Sequence, residues 1–313
     1  MLQVPIEYIT LDQVKADLET LGYSWGRVHT DQYHKWKKKL PGLVVSYSSL
    51  KEFAECPFAY RWKQANEEKD DTPALRLGSR VDCLVLTPED YDYKYPLAKK
   101  RVAIRKTDGK PCADGRQDPE QKAEWEKDYY QKGIERLTQE ERDEVESIAE
   151  SACILMEQEN LILGETCVSQ LALFVRISEI GGVPLAMPVT ICCAMDLAPL
   201  DGRPTLYDLK TTSRPVRSER QLIYAIRDMH YNLQAAVETT CWLAITGQEA
   251  DFAFLFVETQ EGPHMARKVV FPPHELELAK QDLAHLIITL AKATHSQDFG
   301  TCILPSIQYS SSN

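Results

Sequence analysis

The chain reads Thr205-Leu206-Tyr207-Asp208-Leu209-Lys210-Thr211-Thr212 near its middle, a run rich in β-forming residues. Because side chains alternate across a β-strand, Asp208 and Lys210 are predicted to lie on one face and Leu209 on the other. A second aspartate, Asp196, closes the preceding apolar run, and glycine-containing turn signals separate the segments. The sequence therefore predicts a three-strand meander with both aspartates on neighbouring strands, over Cys167 to Ser178, Val183 to Ala198 and Pro204 to Thr212.

Two carboxylates and one ammonium group on adjacent strands suit a particular chemistry. Asp196 and Asp208 can together hold a hard divalent cation, and Lys210 can position and help deprotonate a water that attacks a phosphodiester. The same triplet occurs at Asp108-Gly109-Lys110, but its surroundings indicate an exposed loop, so we interpret that copy as a chance match. A solvated lysine beside an aspartate is the plain structural alternative for the strand copy. The β-rich context favours the functional interpretation, which is a metal-dependent nuclease.

The segment after the meander is predicted to form one long helix, from Ser218 to about Ile245. Ser218 and Gln221 match the capping-box pattern at its start. Tyr231, Gln234 and Glu238 lie at i, i+3 and i+7, so they share one face of this helix.

The other elements fit an α/β protein. A helix carrying Asp82 is predicted upstream of the meander, over Ala74 to Leu86. Two strands and a last helix are predicted downstream, over Ala253 to Val257, Lys268 to Phe271 and about Pro273 to Ala293. The order of elements is helix, three strands, helix, strand.

With these motifs in place, the chain resembles the PD-(D/E)xK nuclease superfamily, and within it the RecE/RecB-like exonucleases of the exodeoxyribonuclease VIII type. Four stretches carry the resemblance, in the family's order. They are Ser46 to Phe53 with Cys56-Pro57 and Tyr60, Leu77 to Asp82 with Leu84 to Glu89, Met195-Asp196 with Tyr207 to Thr212, and His230 to Ala236. The resemblance implies an α/β fold with a restriction-endonuclease-like core (helix, three-strand meander, helix, strand) and helical additions.

The resemblance also implies roles for single residues. Asp196 matches the family's metal-binding aspartate, Asp208 its second metal ligand, and Lys210 its catalytic lysine. Gln234 matches a glutamine that lies near the active site and the DNA, and Tyr231 precedes it as in RecE-like members. Tyr231 and Gln234 are therefore predicted to contact DNA.

Two positions depart from the family pattern. Asp82 stands where these enzymes usually have a histidine, and Glu238 stands where they usually have a tyrosine. Because aspartate supplies a hard oxygen, Mg²⁺ binding remains compatible with Asp82. The predicted ligands are Asp82, Asp196, Asp208 and the Leu209 carbonyl, for Mg²⁺ with Mn²⁺ able to substitute.

Some relatives hold an iron–sulfur cluster with one early cysteine and three near the C-terminus. Cys56 could be the early ligand, but Cys302 is the one cysteine near the end of this sequence. No iron–sulfur cluster is therefore expected.

The resemblance implies an exonuclease that resects duplex DNA ends in the 5′→3′ direction for recombination, as prophage enzymes do. It also implies a single-strand annealing partner and a homo-oligomer. Two alternatives stay open, a single-strand or endo-acting nuclease of the same fold and a non-catalytic DNA-binding protein.

Composition and charge indicate where the protein acts and how it could contact DNA. The 47 acidic and 36 basic residues give a formal net charge of −11. This charge is unexpected for a protein that binds DNA, because neutralisation of phosphates dominates affinity for nucleic acids, so local basic residues must supply the contacts. Arg214 and Arg217, directly after the Asp208 strand, are therefore predicted to contact DNA phosphates. Nine cysteines without framework spacing indicate reduced thiols, and no segment has the length of a membrane span or the basic start of a signal peptide. A cytoplasmic protein without a membrane partner is predicted.

Three regions are predicted along the chain. Residues 1–44 would form an N-terminal helical extension, residues 45–300 the nuclease domain, and residues 301–313 a tail. A helical insertion is predicted at about residues 118–160, where the acidic composition indicates a solvated pair of surface helices.

Overall fold

The computed structural model describes residues 7–66, 72–98, 134–200, 205–260 and 262–300. In these residues seven strands form one mixed sheet. The strands are β1 (Tyr23–Arg27), β2 (Leu43–Val45), β3 (Cys167–Ile180), β4 (Val183–Pro199), β5 (Thr205–Thr212), β6 (Asp251–Glu258) and β7 (Ala266–Val270). The helices are α1 (Leu11–Thr20), α2 (Thr30–Lys37), α3 (Tyr47–Glu55), α4 (Pro57–Asn66), α5 (Pro73–Leu86), α6 (Pro88–Lys94), α7 (Gln139–Gln158), α8 (Glu219–Asp228), α9 (Tyr231–Thr246) and α10 (Pro273–Ser296).

The strand order is β1-β3-β4-β5-β6-β7, and β2 pairs with β4. The pairs β3·β4 and β4·β5 are antiparallel, which confirms the predicted meander. The pair β5·β6 is parallel, and a parallel pair needs a crossover connection. Helices α8 and α9 form this crossover, and α9 packs against the sheet with Gln234 within hydrogen-bond distance of Asp208.

Helices cover both faces of the sheet. Along β5, Leu206 packs into the core layer that contains α3, α9 and α10, whereas Leu209 packs into the layer that contains α5 and α7. The alternation expected of a half-buried strand is therefore present, and the predicted α/β class is confirmed. No helix in the described parts of the chain is long and apolar enough to cross a membrane.

The long helix predicted after the meander is wrong in one respect, because two helices occupy this segment. His230 lies between them with a left-handed backbone (φ 55°), which a continuous α-helix cannot contain. Helix α9 therefore starts at Tyr231, and Tyr231, Gln234 and Glu238 all lie on it.

The N-terminal segment is more than the helical extension that the sequence predicts. Strand β1 pairs antiparallel with β3 over five residues and forms an edge of the sheet. Gly26 in β1 allows the segment around Ile9 to lie against the strand, because a Cβ at its position would lie 2.4 Å from Ile9 Cγ2. The division of the chain into domains stays a prediction.

Helix α7 corrects the interpretation of the acidic stretch as a solvated helix pair. Residues 118–133 lie outside the described residues, but α7 buries one complete face against α5 and the sheet. Thr138 and Glu141 form the predicted capping box at its start. Its acidic residues occupy the outer face, and composition alone does not reveal the apolar stripe beneath them.

The burial of α7 gives a stability prediction. Ile148 is 0% exposed, and Ile148→Ala is expected to lower the free energy of unfolding by about 2–5 kcal/mol, because it removes buried methyl groups and leaves a cavity. Ile154, on the same helix, is 50% exposed, and Ile154→Ala should change it by less than about 0.5 kcal/mol. Chemical denaturation measures both variants, and equal effects would contradict the packing of α7.

Candidate active site

A cavity of about 460 Å³ opens beside the strand pair β4·β5. Its polar lining includes Asp82 of α5, Asp196 of β4, and Gln234 and Glu238 of α9. These residues come from three separate parts of the sequence, and the fold brings them together. Three of the residues predicted for the site, Asp82, Asp196 and Gln234, therefore line this cavity.

Asp196 joins β4 to β5 at this cavity. The two strands are paired at Leu197 and Tyr207, and the Asp196 side chain extends the pairing by accepting a hydrogen bond from the Leu209 backbone N–H to Oδ2 at 3.0 Å. A carboxylate therefore takes a position in the ladder that a backbone carbonyl usually occupies. This bond fixes Asp196 relative to the strand that carries Asp208.

Helix α5 brings Asp82 to the same cavity. Gly78, one turn before it, lies so close to β5 that a Cβ at its position would be 3.1 Å from Thr211 Oγ1. Glycine thus allows α5 to approach the strand closely. The predicted helix and its Asp82 are placed as the sequence indicates.

Asp208 is the most enclosed of the predicted aspartates, with 2% exposure. Its Oδ2 lies 2.5 Å from Lys210 Nζ, and its Oδ1 accepts a hydrogen bond from Gln234 Nε2 at 2.5 Å. Lys210 Nζ also lies 5.1 Å from the centre of the Tyr231 ring, a favourable cation–π distance. The ammonium group is therefore held from two sides.

Gln234 links two carboxyl groups across the helix and the strand. Its Nε2 donates to Asp208 Oδ1 and, at 2.8 Å, to Glu238 Oε1. Both Gln234 and Glu238 are buried, with 8% and 1% exposure. Gln234 Oε1 and Glu238 Oε2 have no hydrogen-bond partner in the described part of the chain. The sequence marked Glu238 as a departure from the family pattern and did not reveal it as a member of the site.

Burial has the largest effect on the pKa values of the carboxyl groups in the cluster, and neighbouring carboxylates add to it. Burial raises the pKa of Asp82 to about 7, with Lys210 opposing this shift and Asp208 adding to it. Burial and the neighbouring carboxylates, above all Asp208, raise the pKa of Asp196 and of Glu238 well above the usual range. Burial lowers the pKa of Lys210, but Asp208 and other neighbours outweigh it, so the net shift is upward.

The predicted arginines lie outside the carboxyl cluster. Arg214 follows β5 and pairs with Asp228 of α8, with 2.5 Å between Nη2 and Oδ2. Arg217 is exposed on the surface of the same connection. Their roles at phosphates stay predictions.

The cavity is also lined by basic residues that the sequence did not indicate as part of the site. Lys37, His34 and Lys94 line it, and Lys37 Nζ donates to Ser46 Oγ at 3.1 Å. Ser46 belongs to the stretch that carries the family resemblance, and this resemblance was the sequence feature that could have indicated a place near the site. The positive charge of Lys37 reaches the site through α2 and could not be placed there from sequence spacing.

The donor set fits a hard divalent cation in its chemistry. Across the described residues, no three acidic, histidine or cysteine side chains converge tightly enough to form a closed metal cage. The carboxyl and amide groups that line the cavity nevertheless supply oxygen donors, as Mg²⁺ and Mn²⁺ prefer, and two buried oxygens have no partner among the described residues. Buried polar atoms are rarely left unpaired, so these oxygens suit a missing positive ligand.

Comparison with protein families identifies the class of protein. The model of the PD-(D/E)XK nuclease superfamily matches residues 44–302 of this chain. The chain therefore belongs to this superfamily, and membership implies a nuclease. No curated protein matches the sequence significantly.

One solved structure supports the same fold. A protein from Eubacterium rectale named "Putative exonuclease" is 15% identical, with a TM-score of 0.55, and the match covers 87% of this chain and 88% of that one. A phage-related exonuclease from Haemophilus somnus is 13% identical, with a TM-score of 0.33, over 83% of this chain and 98% of that one. The predicted restriction-endonuclease-like core and the predicted superfamily are both confirmed.

Proposed function

We propose that this protein is a Mg²⁺-dependent deoxyribonuclease that hydrolyses phosphodiesters from the ends of duplex DNA. The observation that carries the proposal is the enclosed Asp208–Lys210 pair, joined through Gln234 to a cavity that Asp196, Asp82 and Glu238 line. Membership in a nuclease superfamily supports the same conclusion. The catalytic group consists of Asp196, Asp208 and Lys210.

The cation would be held by Asp82, Asp196, Asp208 and the Leu209 carbonyl. When bound, Mg²⁺ supplies a Lewis acid that offsets the charge developing on the attacked phosphate, and Mn²⁺ can replace it. The protein's own part is to keep these oxygens in place before the substrate arrives. The bond from Leu209 N–H to Asp196 and the bond from Gln234 to Asp208 do this.

Lys210 acts as a positioned ammonium group. As an ammonium group paired with Asp208, it donates hydrogen bonds, so it orients the attacking water and stabilises negative charge near phosphorus. Asp208 and the Tyr231 ring hold it in this position.

DNA would reach this cavity from the exposed surface. Arg214 and Arg217 contact the phosphates, since salt-dependent phosphate contacts supply much of the affinity for DNA. Tyr231 and Gln234 act closer to the scissile bond, because Gln234 lines the cavity with an unpaired Oε1. In the full proposal the enzyme is cytoplasmic and homo-oligomeric, resects 5′→3′, and delivers a 3′ strand to an annealing protein.

The form of the substrate distinguishes the proposal from its alternatives. An exonuclease acting at duplex ends degrades linear duplex DNA and leaves a covalently closed circle of the same sequence intact. Cleavage of the circle would indicate an endonuclease, and cleavage of single strands alone would indicate the single-strand alternative. A non-catalytic DNA-binding protein would degrade none of these and would bind no Mn²⁺ at the cavity.

The role of Asp82 is tested by metal-dependent stability. Mn²⁺ is expected to raise the melting temperature of the wild type, because a ligand that binds the folded state stabilises it. Asp82→Asn should reduce this rise while keeping the shape of the side chain, and Asp12→Asn on the exposed face of α1 should not. A thermal-shift titration measures all three proteins. If the melting temperature of Asp82→Asn depends on Mn²⁺ concentration as that of the wild type does, Asp82 is not a metal ligand.

A further inference from the structure

We propose that Glu238 is a further ligand of the divalent cation, so that α9 contributes a carboxylate to a site otherwise built from α5, β4 and β5. The inference rests on the proposed function and deepens it. It concerns a residue that stands outside the aspartate and lysine motifs of the sequence.

The position of Glu238 is fixed by its contacts. Gln234 Nε2 donates to Glu238 Oε1 at 2.8 Å and to Asp208 Oδ1 at 2.5 Å, so one amide nitrogen holds both carboxyl groups. The two acceptor oxygens therefore lie close to each other. Glu238 also lines the same cavity as Asp82 and Asp196.

The second oxygen of Glu238 is available to a ligand. Glu238 is 1% exposed, and its Oε2 has no hydrogen-bond partner within the described ranges of the chain. An unpaired buried carboxylate oxygen is costly, and water reaches this one poorly. A cation bound in the cavity would satisfy it.

Charge balance leads to the same conclusion. Asp82, Asp196, Asp208 and Glu238 lie near the ammonium group of Lys210, and Asp208 already pairs with it. The remaining carboxyl groups repel one another when they are ionised, because they lie close together beside one cavity. A divalent cation relieves this repulsion, and Glu238 Oε2 is an oxygen that such a cation can contact.

The substitution Glu238→Gln distinguishes a metal ligand from a residue that only positions its neighbours. In Glu238→Gln, the side-chain carbonyl still accepts the bond from Gln234, so a purely positioning role survives. What the variant loses is the negative charge and the second acceptor oxygen. Glu258 offers a matched control, because it is buried (7% exposed), accepts a bond from Val216 N–H, and does not line the cavity.

Calorimetric titration of the full chain with Mn²⁺ alone tests the inference. We expect the wild type and Glu258→Gln to bind Mn²⁺ with similar affinity, and Glu238→Gln to bind it at least about tenfold more weakly. Without metal, the melting temperature of Glu238→Gln should equal or exceed that of the wild type, since a buried charge has been removed. This second measurement shows that the variant is folded.

Two results would overturn the inference, and they differ in whether the proposed metal-dependent function fails with it. If Glu238→Gln is folded and binds Mn²⁺ within twofold of the wild type, Glu238 is not a ligand and the nuclease proposal stands. If the wild type itself binds no Mn²⁺, the inference and the proposed metal-dependent function fail together.

Discussion

Replacing Asp208 with alanine is expected to lower the rate of DNA cleavage in Mg²⁺ by at least about 100-fold. The substitution removes a proposed metal ligand, the partner of Lys210 and the acceptor of Gln234 in one step. Folding without metal should change little, because the repulsion of Asp208 with the other carboxyl groups is lost together with its contacts. Single-turnover cleavage of a linear duplex measures the rate, and thermal melting checks the fold.

The sequence itself supplies a control for Asp208→Ala. Asp108 belongs to the second copy of the aspartate-x-lysine triplet, which lies outside the described residues. Asp108→Ala should leave the chemical rate unchanged. Loss of activity in Asp108→Ala with full activity in Asp208→Ala would show that the wrong triplet had been chosen.

Lys210→Met is expected to reduce cleavage by at least about 100-fold as well, for a different reason. Methionine retains an apolar stem of similar length but cannot donate hydrogen bonds to the attacking water. The variant also leaves Asp208, at 2% exposure, without its ammonium partner. The metal-free protein should therefore melt at a lower temperature than the wild type, and Mn²⁺ should restore part of the difference.

Lys268→Met is the matched substitution in another ion pair of the sheet. Lys268 Nζ lies 2.5 Å from Glu159 Oε2, and its side chain is 32% exposed. Partly exposed ion pairs contribute little to protein stability. The rate of DNA cleavage by Lys268→Met should therefore stay within a few-fold of the wild type. Equal losses of activity in both lysine variants would indicate a general effect of charge removal and contradict the role of Lys210.

The strands and the motif residues could be predicted because their signals are local. Alternation along residues 205–212 places Asp208 and Lys210 on one face, and the structure pairs them there. The turn signals give the meander, which sets Asp196 beside that strand. These features depend on neighbours in sequence, and so they can be read from the sequence.

Other features depend on contacts that the sequence does not display. Helices α8 and α9 are separated at His230, whose backbone is left-handed. Because this position is not a glycine, the sequence contains no signal for the break. Glu238 joins the site through Gln234, whose other bond, to Asp208, requires α9 to pack against the sheet. The buried face of α7 was hidden by its acidic outer face. In each case the tertiary packing determines the outcome.

Release of label from end-labelled linear duplex DNA, measured with Mg²⁺ and with a chelator, tests the central claim most directly. The account predicts release in Mg²⁺, release in Mn²⁺ as a substitute, and none when the metal is chelated. Failure to release label with either cation would contradict the proposed nuclease. Release that continues undiminished in chelator would contradict the metal-dependent site.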